Sequence, residues 1–161
     1  MEVLDLYDDN ENKLDEEIIR GNKPELGKNI MLSVIYIKNN EGKYIIQKTS
    51  KEKGNKYSTT GGHVIKGENA LTTIIRELKE ELGLNINKER INHIKTIKYP
   101  TKQCIFNIYE LCLNDNELKN IVLQKEEVES VFLYSQEEII KIIEQGNFLE
   151  SHAYIFQRYI K

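Results

Sequence analysis

A glycine pair followed by a helix dense in carboxylates, running from Gly61 to Gly83, constrains this chain more than any other stretch of it. Gly62, Glu68, Arg76, Glu77, Glu80, Glu81 and Gly83 fill the pattern G-x5-E-x7-R-E-x-x-E-E-x-G. At about 100° per residue, Leu71, Ile74, Ile75, Leu78 and Leu82 share one apolar stripe. Glu77, Glu80 and Glu81 share an adjoining arc, and Arg76 lies beyond Glu80 on the same polar side. The spacing predicts a helix over about 69–82, with Asn69 as N-cap and Gly83 just past the last turn. Its stripe must rest on a core, which leaves the acidic arc facing a cavity or solvent.

Three carboxylates on one arc repel each other, and without a counter-ion their pKa values rise. A hard divalent cation such as Mg²⁺ or Mn²⁺ removes that cost, because it takes carboxylate and carbonyl oxygens. Tyr57-Ser58-Thr59-Thr60 reads as a short strand, and Gly61-Gly62 as the turn that ends it. Glycines there let backbone amides and carbonyls come close to a metal or a phosphate.

The same residues, with aliphatic Leu78 and Leu84, resemble the Nudix box, the signature of the Nudix hydrolase family, over 62–84. The resemblance implies an α+β fold, a Nudix-type α/β/α sandwich around a mixed β-sheet. It implies Mg²⁺- or Mn²⁺-dependent hydrolysis of a nucleoside diphosphate linked to another moiety. It also assigns roles. Glu80 and Glu81 match the principal metal ligands, with Gly61 adding a backbone carbonyl. Glu77 matches the carboxylate that binds a second metal or acts as general base. Arg76 matches the arginine that orients neighbouring glutamates, and Glu68 its usual partner. A further glutamate from a later loop is common in the family, and here Glu126, Glu127 and Glu129 are candidates, with Glu126 and Glu127 favoured. Gly62, His63, Lys48 and Tyr57 are candidate substrate contacts, as is Phe106 through stacking. The Lys51, Lys53 and Lys56 run could steer a phosphorylated substrate or simply form a solvated loop.

Within the family, Glu2 to Asp8, Arg20-Gly21 and Thr60-Gly61-Gly62-His63-Val64 resemble members related to isopentenyl-diphosphate isomerase. That alternative activity needs an active-site cysteine near the box and several histidine ligands, and neither is present. A non-catalytic nucleotide-sensing domain is the other alternative. It would not need Glu77, Glu80 and Glu81 together.

The rest of the chain fits one domain over 1–161, with an N-terminal strand or hairpin extension at 1–29. At 161 residues a chain buries about 70% of its unfolded surface. A net charge of −3 gives no reason to expect a nucleic-acid polymer as partner. No apolar run is long enough to span a bilayer, and Met1 to Asp5 lacks the features of a signal peptide, so a cytoplasmic location is the expectation. The N-terminal hairpin is a candidate element for a homodimer.

Cys104 and Cys112 fall on one strand, about 27 Å apart, too far to bridge, and read as small apolar residues. Ile30–Lys38 and Lys43–Thr49 read as a hairpin about Asn39-Asn40-Glu41-Gly42, and Ile91–Tyr99 with Cys104–Leu113 as a second pair. Ser135 with Glu138 forms a capping box for a helix closed by Gly146, and Ser151 is the expected cap of a last helix. His93 and His152 have no partner pattern and read as structural.

Overall fold

The computed structural model describes all residues, Met1–Lys161. Nine strands form a mixed sheet: β1 (Val3–Asp8), β2 (Lys13–Ile19), β3 (Lys28–Lys38), β4 (Tyr44–Thr49), β5 (Tyr57–Ser58), β6 (Thr60–His63), β7 (Asn92–Lys98), β8 (Cys104–Cys112) and β9 (Val128–Tyr134). The helices are α1 (Ala70–Leu82), α2 (Asp115–Lys119), α3 (Gln136–Glu144) and α4 (Glu150–Ile155), the last continuing into a π-turn at Phe156–Ile160. The architecture is α+β, as the resemblance implied.

β3 is the central strand. It runs parallel to β8 over Ile30–Lys38 and antiparallel to β6 over Leu32–Ile35, and its start pairs with β1. Residues of β3 alternate between two cores. Val34 and Tyr36 join Phe106, Ile108, Ile155 of α4 and Phe156 of the turn after it. Ile35 and Ile37 join Ile74, Leu78 and Leu82 of α1. A strand covered on both faces reads as a near-continuous apolar run, which is what 30–37 shows.

Several local expectations match. α1 begins at Asn69, whose side chain accepts the Thr72 amide at 2.8 Å, and ends at Gly83 in the left-handed region with φ 68°. α3 carries the Ser135–Glu138 capping box. β7 and β8 pair antiparallel.

Others are corrected. The expected β3–β4 hairpin is paired only at Lys38↔Tyr44. Beyond its turn the two strands part, β3 to β6 and β8, and β4 to β9 and β5. Gly61-Gly62 is not a turn: both residues lie inside β6, opposite Val34 and Ser33. Ser151 does not cap α4, which starts at Glu150 after Leu149 with no side-chain cap. Backbone bonds between β5 and the residues before α4 set its start instead, Tyr57 N–H to Asn147 O at 2.9 Å and Leu149 N–H to Tyr57 O at 2.8 Å. α2, with its Asn114–Glu117 capping box, had no counterpart in the sequence reading. Both cysteines are free; Cys104 is buried, but Cys112 is exposed rather than packed. No helix is long and apolar enough to cross a membrane.

Candidate active site

The glycines of β6 and the acidic face of α1 meet because β6 leads directly into the helix and both lie on β3. Ser33 on β3 donates its hydroxyl to the Ala70 carbonyl at 2.7 Å, pinning the first turn of α1 to the sheet. A Cβ on Gly61 would stand 2.7 Å from the Ser33 carbonyl oxygen, and one on Gly62 would overlap the Glu77 carboxylate. Both positions are glycine because of close approach.

Arg76 organises the acids. Its Nε and Nη2 donate to the two Glu68 oxygens at 2.8 and 3.0 Å, and Thr73 supports Glu68 at 2.8 Å. Nη1 donates to Glu77 Oε1 at 2.9 Å and to Glu80 Oε2 at 3.1 Å, and Nη2 reaches the His63 carbonyl at 3.3 Å. Partial burial opposes Glu68 ionisation, but the hydrogen bonds from Arg76 and Thr73 prevail and hold its pKa below the usual value. The Glu68 carboxylate in turn raises that of Arg76.

Glu81 is different. It is only 8% exposed, and its carboxylate accepts Gln47 Nε2 at 2.8 Å. Gln47 is itself held by the Thr60 hydroxyl. Burial, and next the hydrogen bond and charge of neighbouring Glu77, push the Glu81 carboxyl well above its usual range, with Gln47 opposing. A buried carboxylate next to another carboxylate, with only an amide for support, lacks a counter-charge.

Arg76, Glu77, Glu80 and Glu81 line a cleft of about 170 Å³ together with Gly61, Gly62, His63, Lys53, Gln124, Glu127, Glu2 and Arg20, while Glu68 stays behind Arg76 outside the lining. Its lining holds no hydrophobic side chain. Glu127 enters it, whereas Glu126 is exposed and offers its backbone carbonyl to the Ser50 hydroxyl at 2.9 Å. Ser50 N–H also bonds the Glu127 carbonyl at 3.2 Å, which brings Lys53 Nζ to 3.5 Å from Glu127 Oε1. Burial first, and then the nearby Arg20 charge, lower the His63 pKa to about 4.

Two expected substrate contacts lie elsewhere. Tyr57 packs with Phe132 and Tyr134 at 5.8 and 6.0 Å between ring centroids, and Lys48 Nζ sits 5.4 Å above the Tyr57 ring. Neither lines the cleft or the cavity beside it, which does include Phe106. Tyr57 and Lys48 are on short strands whose outward faces the sequence does not reveal. Sequence reasoning in turn missed Glu2, Arg20, Gln47 and Gln124. Their approach depends on long-range pairing, such as the Arg20 N–H to Glu2 O bond at 3.0 Å that closes the β1–β2 hairpin, and no spacing signals it.

The donor set fits a hard divalent cation: oxygen ligands, an uncompensated buried carboxylate and a close glycine backbone. No three His, Cys, Asp or Glu side chains converge tightly here, and Glu77 and Glu80 are both paired with Arg76.

The chain is 29% identical to an uncharacterized Nudix hydrolase of Listeria innocua over 92% of this chain and 89% of that protein. The fold is similar to the crystal structure of DR0079 from Deinococcus radiodurans, with a TM-score of 0.84, 20% identity and coverage of 99% and 100%. It is also similar to a bifunctional NMN adenylyltransferase/ADP ribose pyrophosphatase of Francisella tularensis complexed with AMP and Mn, with a TM-score of 0.65 and 20% identity, covering 85% of this chain and 41% of that one. These matches do not support the finer likeness to isomerase-related members. A model of the NUDIX domain matches residues 30–159, and the chain belongs to the Nudix hydrolase family.

Proposed function

We propose that the chain hydrolyses the pyrophosphate linkage of a nucleoside diphosphate joined to another moiety, with Mg²⁺ or Mn²⁺ in the cleft. The observation that carries this reading is the buried Glu81 carboxylate beside Glu77, with Arg20 and Lys53 lining the same cleft. That arrangement suits a ligand that brings both a cation and phosphate oxygens.

Held by Glu77, Glu80, Glu81, Glu127 and the Gly61 backbone, the cation would neutralise pyrophosphate charge and lower the pKa of water. The protein groups divide the remaining work. Arg76, itself fixed by Glu68, holds Glu77 in one place through Oε1. Glu77 is then the candidate to take the proton of the attacking water. Arg20 and Lys53 supply positive charge for the non-reacting phosphate oxygens, in the bound substrate and the transition state alike. Gln47 keeps Glu81 oriented. A neutral His63 leaves its ring free to hydrogen-bond without adding charge.

The test is phosphate or nucleotide release from a panel of nucleoside diphosphate derivatives, with Mg²⁺ or Mn²⁺ and with chelator. Release is expected only with metal, and Glu77→Gln should lower kcat about a hundredfold or more. Full activity in that variant would remove Glu77 as base. Binding of the panel without any product would point to a sensing domain instead.

A further inference from the structure

A second cavity, of about 230 Å³, adjoins the carboxylate cleft and shares seven lining residues with it, among them Arg20, Lys53, Glu81 and Glu127. Pockets that enclose a drug-sized ligand run to roughly 300–1,000 Å³, so this recess suits one ring-sized group and not a whole dinucleotide. Leu32, Phe106 and Leu149 are its apolar residues, set among polar ones such as Gln47, Thr49 and Ser58. His152 lines it too, from α4, and is itself only 9% exposed.

His152 is fixed at both ends. Its backbone carbonyl accepts the Tyr36 hydroxyl at 2.6 Å, and its Nδ1 accepts the Thr59 backbone N–H at 3.2 Å. A neutral imidazole has one donor and one acceptor nitrogen, so the Thr59 contact places the proton on Nε2. Burial keeps the ring neutral, with a pKa near 4. Nε2 makes no hydrogen bond to protein, yet the fully enclosed side-chain atoms without a partner are Asn29 Oδ1 and Asn107 Nδ2 only. The Nε2–H therefore keeps an opening, and the recess is the space His152 lines. A donor fixed in direction beside the apolar side chains of Leu32, Phe106 and Leu149 suits a flat group with an acceptor on its edge.

We infer that this recess is the nucleobase subsite, and that His152 Nε2–H donates to a ring nitrogen or carbonyl oxygen on the edge of the base. The assignment extends the nucleotide reading above. It makes His152 a specificity-determining residue on an element outside the acidic motif.

The test measures binding without metal, so it is independent of turnover. The four ribonucleoside 5′-monophosphates are compared with ribose 5-phosphate, which lacks the base. In the wild-type chain, the ¹⁵N signal of His152 Nε2 should move with at least one nucleotide and stay in place with ribose 5-phosphate. His152→Phe should weaken binding of that nucleotide about three- to tenfold, the range of one hydrogen bond, and leave ribose 5-phosphate unchanged. His152→Gln, whose amide can both accept from Thr59 and donate into the recess, should recover most of the loss. An Nε2 signal indifferent to every base overturns the assignment, and so does equal weakening of nucleotide and ribose 5-phosphate in His152→Phe. Base-dependent binding by a chain that releases no product would leave the subsite standing and remove the hydrolase reading.

Discussion

Gly61 and Gly62 are neighbours on β6, but a side chain at each meets a different obstacle. At Gly61 the obstacle is the backbone carbonyl of Ser33, 2.7 Å from an added Cβ, and a strand in a ladder cannot step aside. Gly61→Ala should cost about 1–3 kcal/mol of stability, the usual price of overpacking, and lower the urea midpoint. At Gly62 the obstacle is the far end of the Glu77 side chain, which can swing away. Gly62→Ala should therefore unfold near the wild-type midpoint but lose activity, because Glu77 leaves the place where Arg76 holds it. Equal losses of stability at the two positions would contradict this contrast. His152 sets a pH limit at the same scale. Its folded pKa of about 4 lies below the value of 6.5 for a free ring, so between these limits the unfolded chain binds the extra proton. Its contribution is thus complete above pH 6.5 and is lost as pH falls toward 4. Between pH 7 and 5 this amounts to about 2 kcal/mol. Denaturant titrations of wild type and His152→Gln at both pH values check it, since the variant should lose that much less on acidification.

Elements built from local signals were legible, and α1 shows why. Its cap, its apolar stripe and its closing glycine all fall within a few turns of one another, so the sequence contains both ends and the buried face. The acidic arc follows from that face by geometry alone. Asn69→Ala should cost about 1 kcal/mol through loss of the bond to Thr72 N–H, read as a fall in the thermal midpoint. Elements defined by distant partners were not legible. Ile30–Lys38 has the composition of a hairpin arm, yet its partners are β8 and β6, and β4 touches it at one pair only. The same lack of long-range information turned a strand, Thr60–His63, into an apparent glycine turn, because glycine serves close approach as well as tight bends. At α4 a serine one residue inside the helix resembled a cap, while backbone bonds to Tyr57 set the actual start. Among the candidate acids, Glu126 and Glu127 differ by one position, and only the tether of their loop to Ser50 distinguishes the exposed one from the one in the cleft.

At the scale of the whole molecule, the N-terminal hairpin brings charge to a cleft whose acids come from the middle of the chain. Leu4, Leu6 and Tyr7 are buried, Tyr7 against Met31, Val64 and Ile105, so β1 is fastened to the body of the fold next to β6. β2 then returns Arg20 to the cleft, where it pairs with Glu2 at 2.7 Å. Both partners remain largely exposed, and such a pair contributes about 0–1 kcal/mol to folding. Arg20→Ala should consequently leave the thermal midpoint close to that of wild type. Its cost should fall on the substrate instead: a higher KM for a pyrophosphate substrate with kcat little changed, as expected when a charge contacts ground state and transition state alike. Salt provides the control. The Debye length shrinks from about 10 Å at 0.1 M to about 3 Å at 1 M, so an exposed arginine acting on phosphate through charge is largely screened at the higher concentration. The KM difference between Arg20→Ala and wild type should narrow as salt is raised. A difference that persists unchanged to 1 M would mean that Arg20 shapes the cleft by packing, and that the hairpin supplies form rather than charge.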